Sequence, residues 1–563
     1  MRFALPVVLV FCTIVTAQKA TELPLPAQSP ISVLTRQNDN QHTGQNLLEV
    51  ILTPTNVNSN SFGKLFSYPV DGQIYAQPLY VQNVTIPSRG AHNVIYVATE
   101  NDSVYALDAD SGKANVAPLW HVSFLNPPTV LGVPCAASSG VCQLFPLLGI
   151  TATPVINLVT NTLYVVARTQ EISSTNSISF VTRLHALDLS TGAEQQGSPA
   201  TICSGLGNAG CTFAGQSIQF APQHQQGRPA LILASEPGYP GGVLFLGFSG
   251  DLGWVLAYDA SSLQLLASFS TDDRKHTTPG VPGQGHSGVW AAGGAITADA
   301  AGNVYVVTGD GFFDGVTNWG DALIKLVLTL NPDGTSSLVP TDYFAPTDEA
   351  CRYATGLDFG SSSPLILPLQ TGATSNLIFV GAKSSVACDP VSQIYVVNRD
   401  NMGHLGGQMA FLNGPRSGSE SSPAYWNSAT SAYIYNGGGG DSLRAFAVSS
   451  TGISPSDVMH SANTFVNGTT PAVSANGQIN GIVWALDRID DDHANPGTRA
   501  VILHAYDATK LSNELYNSTQ AGSGRDTAGP AVKFQVPTVA NGKVYVATQT
   551  ELDVYGLCPC PGK

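Results

Sequence analysis

One strand-rich pattern recurs along almost the whole chain. Each copy opens on a short segment that usually contains proline. It continues into a strand such as Val94-Ile95-Tyr96-Val97-Ala98, then a strand such as Val104-Tyr105-Ala106-Leu107-Asp108, then a Ser/Thr-Gly turn and a weaker strand. Copies begin near Gln77-Pro78, Thr153-Pro154, Leu231, Val289, Ser363-Pro364, Ser422-Pro423, Thr470-Pro471 and Val536-Pro537, which makes about eight, at spacings of about 50 to 75 residues. Four short antiparallel strands per copy is the unit of a propeller blade. One such sheet cannot bury both of its faces, so successive copies must stack around an axis. The expected fold is therefore all-β: an eight-bladed β-propeller of four-stranded antiparallel blades. The last copy ends near Leu557, one strand short, and residues 63–70 have the character of the missing outer strand. A propeller closed by this N-terminal strand has no open edge.

A chain of 563 residues would ordinarily suggest several domains, but repeats add core without adding boundaries. With 43% hydrophobic and only 11% charged residues, there is much to bury. The net charge of -15 excludes nucleic acid as a partner, because phosphate binding needs a basic footprint. Arg2, the apolar run of residues 3–15 and the small residues around Val15-Thr16-Ala17 read as a signal peptide over 1–17. A linker over 18–30, a single propeller over 31–557 and a tail over 558–563 complete the division. No later run is long enough to span a bilayer. The protein is thus expected to be secreted or periplasmic, with no membrane span.

Eight cysteines follow the signal peptide, an even count that favours disulfides in an exported chain. Cys135–Cys142 and Cys203–Cys211 are the local pairs, and Cys351–Cys388 is a third. Cys558 and Cys560, one residue apart, are poorly placed to bridge each other. No Cys-x-x-Cys-His haem motif is present, so there is no fused cytochrome.

The Ala-Leu-Asp-x-x-Ser/Thr-Gly step at residues 106–112 and 186–192 resembles the blade signature of the quinoprotein dehydrogenases, which use pyrroloquinoline quinone (PQQ) and Ca²⁺. The family's Trp after that turn survives only as Trp120. Asn38-Asp39-Asn40, Thr43-Gly44 and Leu52-Thr53-Pro54 are similar to the family's N-terminal segment. The resemblance implies a stacking floor at Trp290, which precedes Thr308-Gly309-Asp310 as the family's floor Trp precedes its metal ligand. Asp310 stands where the family has Asn. Ser249-Gly250-Asp251-Leu252-Gly253 resembles the family's second ligand segment, so Asp251 and Asp310 are the implied metal ligands. Asp358 sits like the catalytic base, and Lys383 in Gly381-Ala382-Lys383 like the cation that polarises the quinone. The implied substrate is a small-molecule alcohol or sugar. One departure is the family's vicinal Cys-Cys pair, which should follow Trp120 and is replaced by Cys135 and Cys142.

The same residues have plainer readings. Trp290 suits core packing between blades, Asp251 and Asp310 suit turns, and Asp358 with Lys383 suits a structural ion pair. On those readings the chain is a non-catalytic propeller that binds a protein or glycan at the channel mouth. Residues 121–150, 198–225 and 262–288 would then be inserts that build the binding surface. Asp490-Asp491-Asp492-His493 reads as a solvated loop.

Overall fold

The computed structural model describes residues 31–113, 116–137, 144–203, 211, 219–250, 252–273, 287–370, 375–384, 388, 393–414, 421–488 and 498–559. Eight mainly antiparallel sheets follow one another in chain order and close into an eight-bladed propeller. The innermost strands of blades 1 to 8 are Leu79–Ile86, Val155–Asn157, Ile232–Glu236, Thr297–Ala298, Leu365–Ile366, Ala424–Asn427, Ala472–Asn476 and Thr538–Ala540. Glu349–Thr355 is the one α-helix among the described residues.

The second and third strands are buried over much of their length. In blade 1, Val94 to Ala98 and Val104 to Leu107 are all in the core. Both faces are covered by neighbouring blades, so these strands read as continuous apolar runs rather than as alternation. Their β-branched and aromatic residues fit that pleated surface. Blades are also joined by repeated polar contacts. Tyr96 Oη donates to the carbonyl of Leu189 at 2.9 Å, Tyr164 to Ala260 at 2.8 Å and Tyr435 to Ala508 at 2.7 Å, each reaching the next blade. Trp120 Nε1 also donates to Leu189, at 2.9 Å, and its ring fills the space beside Gly192, where a Cβ would meet Cδ2 at 2.9 Å. This is the physical use of the Trp that follows the blade signature. Trp426 repeats it between blades 6 and 7, donating to the carbonyl of Gly477 at 3.0 Å.

The ring closes as the sequence predicts. Phe62–Pro69 pairs antiparallel with Glu551–Leu557, so an N-terminal strand supplies the outer edge of blade 8. Lys64 secures it through Asp553 at 2.6 Å and Glu551 at 3.3 Å.

The segment before this strand visits every blade. Ser32–Val33 pairs with blade 1, the Leu34 carbonyl accepts from Ile156 of blade 2 at 2.8 Å, and Asn40 Nδ2 donates to Leu233 of blade 3 at 2.8 Å. The carbonyls of Asn40, Gln41, Thr43 and Gly44 then accept from Ala298, Ile366, Tyr425 and Val473 of blades 4 to 7 at 2.7–3.0 Å. Finally Asn46 Nδ2 donates to Val539 of blade 8 at 2.8 Å. The innermost strands would otherwise leave these amides unpaired around the axis.

The expected inserts are partly sheet. Val130–Pro134 and Leu147–Leu148 extend blade 2, because the long strand Thr162–Ile172 runs past the blade and pairs with Val130 to Gly132. Ala200–Thr201 pairs with the strand Ile178–Asp188 of blade 2. Leu265–Ser270 is the outer strand of blade 3, with Ala267 and Phe269 alternating into the core.

Cys203–Cys211 and Cys351–Cys388 are disulfide-bonded as expected. Cys135 and Cys558 are also oxidised, while Cys142 and Cys560 lie outside the described residues. No helix among the described residues is long and apolar enough to cross a membrane.

Candidate functional site

Trp290, Asp310, Asp358 and Lys383 come together between blades 4 and 5. The link is Gly309. A Cβ there would meet Trp290 Cδ1 at 2.8 Å on one side and the Asp358 carboxylate on the other. Only glycine lets these side chains approach one another across the backbone. The Asp310 amide donates to Asp358 Oδ1 at 3.2 Å, and the Asp310 carboxyl also hydrogen-bonds to Asp358. Lys383 Nζ ion-pairs with Asp358 Oδ2, and the Lys383 amide donates to the Asp358 carbonyl at 3.1 Å. Burial alone would raise the Asp358 carboxyl, but the Lys383 ammonium and the Asp310 contacts hold it below the ordinary range. Asp358 is therefore a carboxylate at neutral pH, with 13% of its side chain exposed.

The segments carrying Asp358 and Lys383 are braced from outside. Cys351–Cys388 ties the helix before Asp358 to the loop after Lys383. Arg352, one residue on from that cysteine, is fully buried and donates to Asp348 Oδ1 at 3.0 Å, to the Lys383 carbonyl at 2.9 Å and to Tyr395 Oη at 3.1 Å. Its role is to hold the loop.

Trp290 is half-buried rather than a core residue between blades. It starts a strained turn: Ala291, Ala292 and Gly293 have φ of 49°, 42° and 69°. Phe534, at φ 61°, packs onto Gly293, where a Cβ would meet its Cβ at 2.6 Å. Left-handed alanine and phenylalanine are uncommon, and such strain clusters at working sites.

Three residues at the site were not singled out in the sequence. The Arg228 guanidinium lies 4.6 Å over the Trp290 ring and 5.7 Å from Phe534. Burial lowers Arg228 to about 10, against the fields of Asp358, Tyr75 and Glu100, so it stays charged at neutral pH. Glu100 is fully buried, accepts from the Gly149 amide at 2.5 Å and the Thr151 hydroxyl at 2.7 Å, and is pushed up to about 7 mainly by burial. Asp321 is fully buried, accepts from the Phe359 amide at 2.7 Å and keeps its second oxygen unpaired. Burial, then the charges of Asp358 and Asp310, hold its carboxyl well above the usual range. The signal for Arg228 was positional: like Gln77 and Thr153, it immediately precedes the blade-opening proline.

The predicted ligand Asp251 lies outside the described residues, as do residues 489–497 with the Asp490–His493 loop. Among the described residues, no three Asp, Glu, His or Cys side chains converge closely enough to hold a metal by themselves. The donor chemistry nevertheless suits a divalent cation, because the touching Asp310 and Asp358 carboxyls must share a proton or a cation to coexist. Arg228 and Lys383 add two positive charges beside a half-exposed indole, which suits a flat, anionic ligand.

The fold is an eight-bladed propeller like that of the quinoprotein dehydrogenases, and it carries a charged cluster beside an indole. The solved structures that it resembles say the same of the fold. The quinohemoprotein alcohol dehydrogenase from Comamonas testosteroni matches at 14% identity and TM-score 0.54, over 94% of this chain and 81% of that one. A quinohemoprotein alcohol dehydrogenase from Pseudomonas putida matches at 13% identity and TM-score 0.56, over 94% and 81%. A europium-containing methanol dehydrogenase matches at 12% identity and TM-score 0.53, over 94% and 98%. At these identities the likeness establishes the architecture, and function must be argued from the site. No family model matches the sequence, and no curated protein matches it.

Proposed function

We propose that this protein is a PQQ- and Ca²⁺-dependent dehydrogenase that oxidises a small alcohol or sugar outside the cytoplasm. The observation that carries this reading is the convergence of Asp310, Asp358 and Lys383 beside Trp290, in the order the family resemblance implies. Bound PQQ and Ca²⁺ would supply a polarised quinone able to accept a hydride. Asp358 accepts the proton of the substrate hydroxyl at its carboxylate, and Lys383 balances the charge of that carboxylate between turnovers. Asp310, with Asp251, provides oxygen ligands for the cation. Trp290 would offer the stacking surface, and Arg228 would supply positive charge for an anionic cofactor. Electrons leave to a separate acceptor. The disulfides fit an oxidising compartment, and hence a secreted or periplasmic location.

The test is titration of the purified protein with PQQ and Ca²⁺, followed by the quinone absorbance and by dye reduction with an alcohol and sugar panel. Saturable binding and turnover are expected. Asp358→Asn should keep the cofactor and lower turnover by about 10²-fold or more. Absence of saturable binding overturns the proposal. It would favour the second reading, a non-catalytic propeller for a protein or glycan partner. One observation supports that alternative: Arg228 already lies on the Trp290 ring, where a quinone would stack.

A further inference from the structure

The N-terminal turn on the propeller axis carries a positive charge that no carboxylate balances among the described residues. Arg36 is fully buried. Nη2 donates to the neutral carbonyl of Phe534 at 2.9 Å, and Nε and Nη1 have no partner. Among the described residues no carboxylate pairs with it. The nearest acid in sequence, Asp39, is committed to its own turn, where Oδ1 accepts from the Gln41 and Thr43 amides at 3.1 and 3.0 Å and Oδ2 from the Thr43 hydroxyl. His42 is 1% exposed, and neither of its ring nitrogens has a partner. It lies within the field of Arg36. Burial and that field push it down to about 3, leaving a neutral imidazole with one N–H to donate.

The turn is rigid. Gly44 donates back to the Gln37 carbonyl at 2.9 Å and His42 to the Asp39 carbonyl at 3.1 Å. Gln37, Asn38 and His42 all have left-handed backbone, at φ 50°, 76° and 60°. Such strain persists only where the surroundings over-determine it. Here the innermost strands of blades 4 to 7 do so, through the carbonyls of residues 40–44.

Enclosed water can satisfy unpaired donors, but it does not neutralise a buried guanidinium. We propose that this turn binds a compact inorganic monoanion, of halide or nitrate size, between Arg36 and His42. One charge needs one charge, which sets the valence. The near-complete burial of both side chains sets the size and excludes organic acids. The anion site meets the Trp290 cluster at Phe534, whose carbonyl Arg36 holds, and the proposal holds whether or not the protein binds PQQ. Its consequence is structural: the ion pins the segment that links all eight innermost strands.

The test starts from the full-length protein in a buffer whose anion is bulky, such as gluconate. Chloride, bromide and nitrate are then titrated at constant ionic strength. The melting temperature should rise saturably by about 2 °C with each small anion and not with gluconate. Arg36→Met should abolish the rise. Crystals soaked in bromide should give an anomalous peak in contact with Arg36 Nε or Nη1. The proposal is overturned if small and bulky anions act alike, if the effect survives in Arg36→Met, or if only water occupies the site in the bromide-soaked crystal. Should Arg36→Met fail to fold, the bromide peak in the wild-type protein decides.

Discussion

At the scale of single residues, the Asp358–Lys383 pair is the most informative element of the site. Folding lowers the Asp358 carboxyl, so its contribution to stability is present above its unfolded value, near pH 4, and is lost as pH falls through the lower folded value. Lys383→Met removes the ammonium, and burial then dominates. The variant should lose about 1–3 kcal/mol at pH 7 by denaturant unfolding, and the difference from wild type should shrink below pH 4. A loss of equal size at both pH values would mean that Lys383 matters through packing alone. These two residues, with Trp290 and Asp310, were legible in the sequence because each sits in a segment similar to a family motif. Arg228, Asp321 and Phe534 were not. Arg228 left only a positional trace, before its blade-opening proline, and nothing in the residues around Asp321 and Phe534 marks what they pack against. Arg36 was hidden for a further reason, since nothing in Thr35-Arg36-Gln37 foretells complete burial.

At the scale of elements, the strands were readable and the joints between blades were less so. Repetition exposed the strands: eight noisy copies of one pattern correct one another. The joints depend on which blade follows which. Trp120 shows this, since its ring rests on Gly192 of the next blade and its Nε1 reaches Leu189. Trp120→Ala should cost about 2–4 kcal/mol, measured by denaturant unfolding, because it opens a cavity and removes one of the two hydrogen bonds to the Leu189 carbonyl. Trp120→Phe should recover roughly half of that. The described parts of the expected inserts are partly sheet because long strands such as Thr162–Ile172 continue past the body of their blade and recruit neighbouring segments as partners.

At the scale of the molecule, the balance of buried acids sets the pH response. Glu100 and Glu236 are each raised to about 7, chiefly by burial. For such groups the stabilising contribution is complete below the unfolded values near 4 and is lost as pH rises through about 7. Thermal stability should therefore be greatest near pH 5 and decline by pH 8. Glu236 offers the cleanest check, because Oε1 has no partner and Asp299 adds to its strain. Glu236→Gln should raise the melting temperature at pH 8 and leave it unchanged at pH 5. The gain should be modest, since the group is partly exposed and screened. A pH profile parallel to that of wild type would remove Glu236 from the account.

The axial segment, residues 32–46, also has a bearing on biosynthesis. It leaves the ribosome before any blade exists, yet its last partner, Val539, is made some 490 residues later. At about 5–20 residues per second it waits on the order of a minute with its partners unmade. Truncated chains can stack their early blades but cannot complete the hub or the outer edge of blade 8. Completion is thus a single late event that waits for blade 8, and until then the hub segment lacks its last partner.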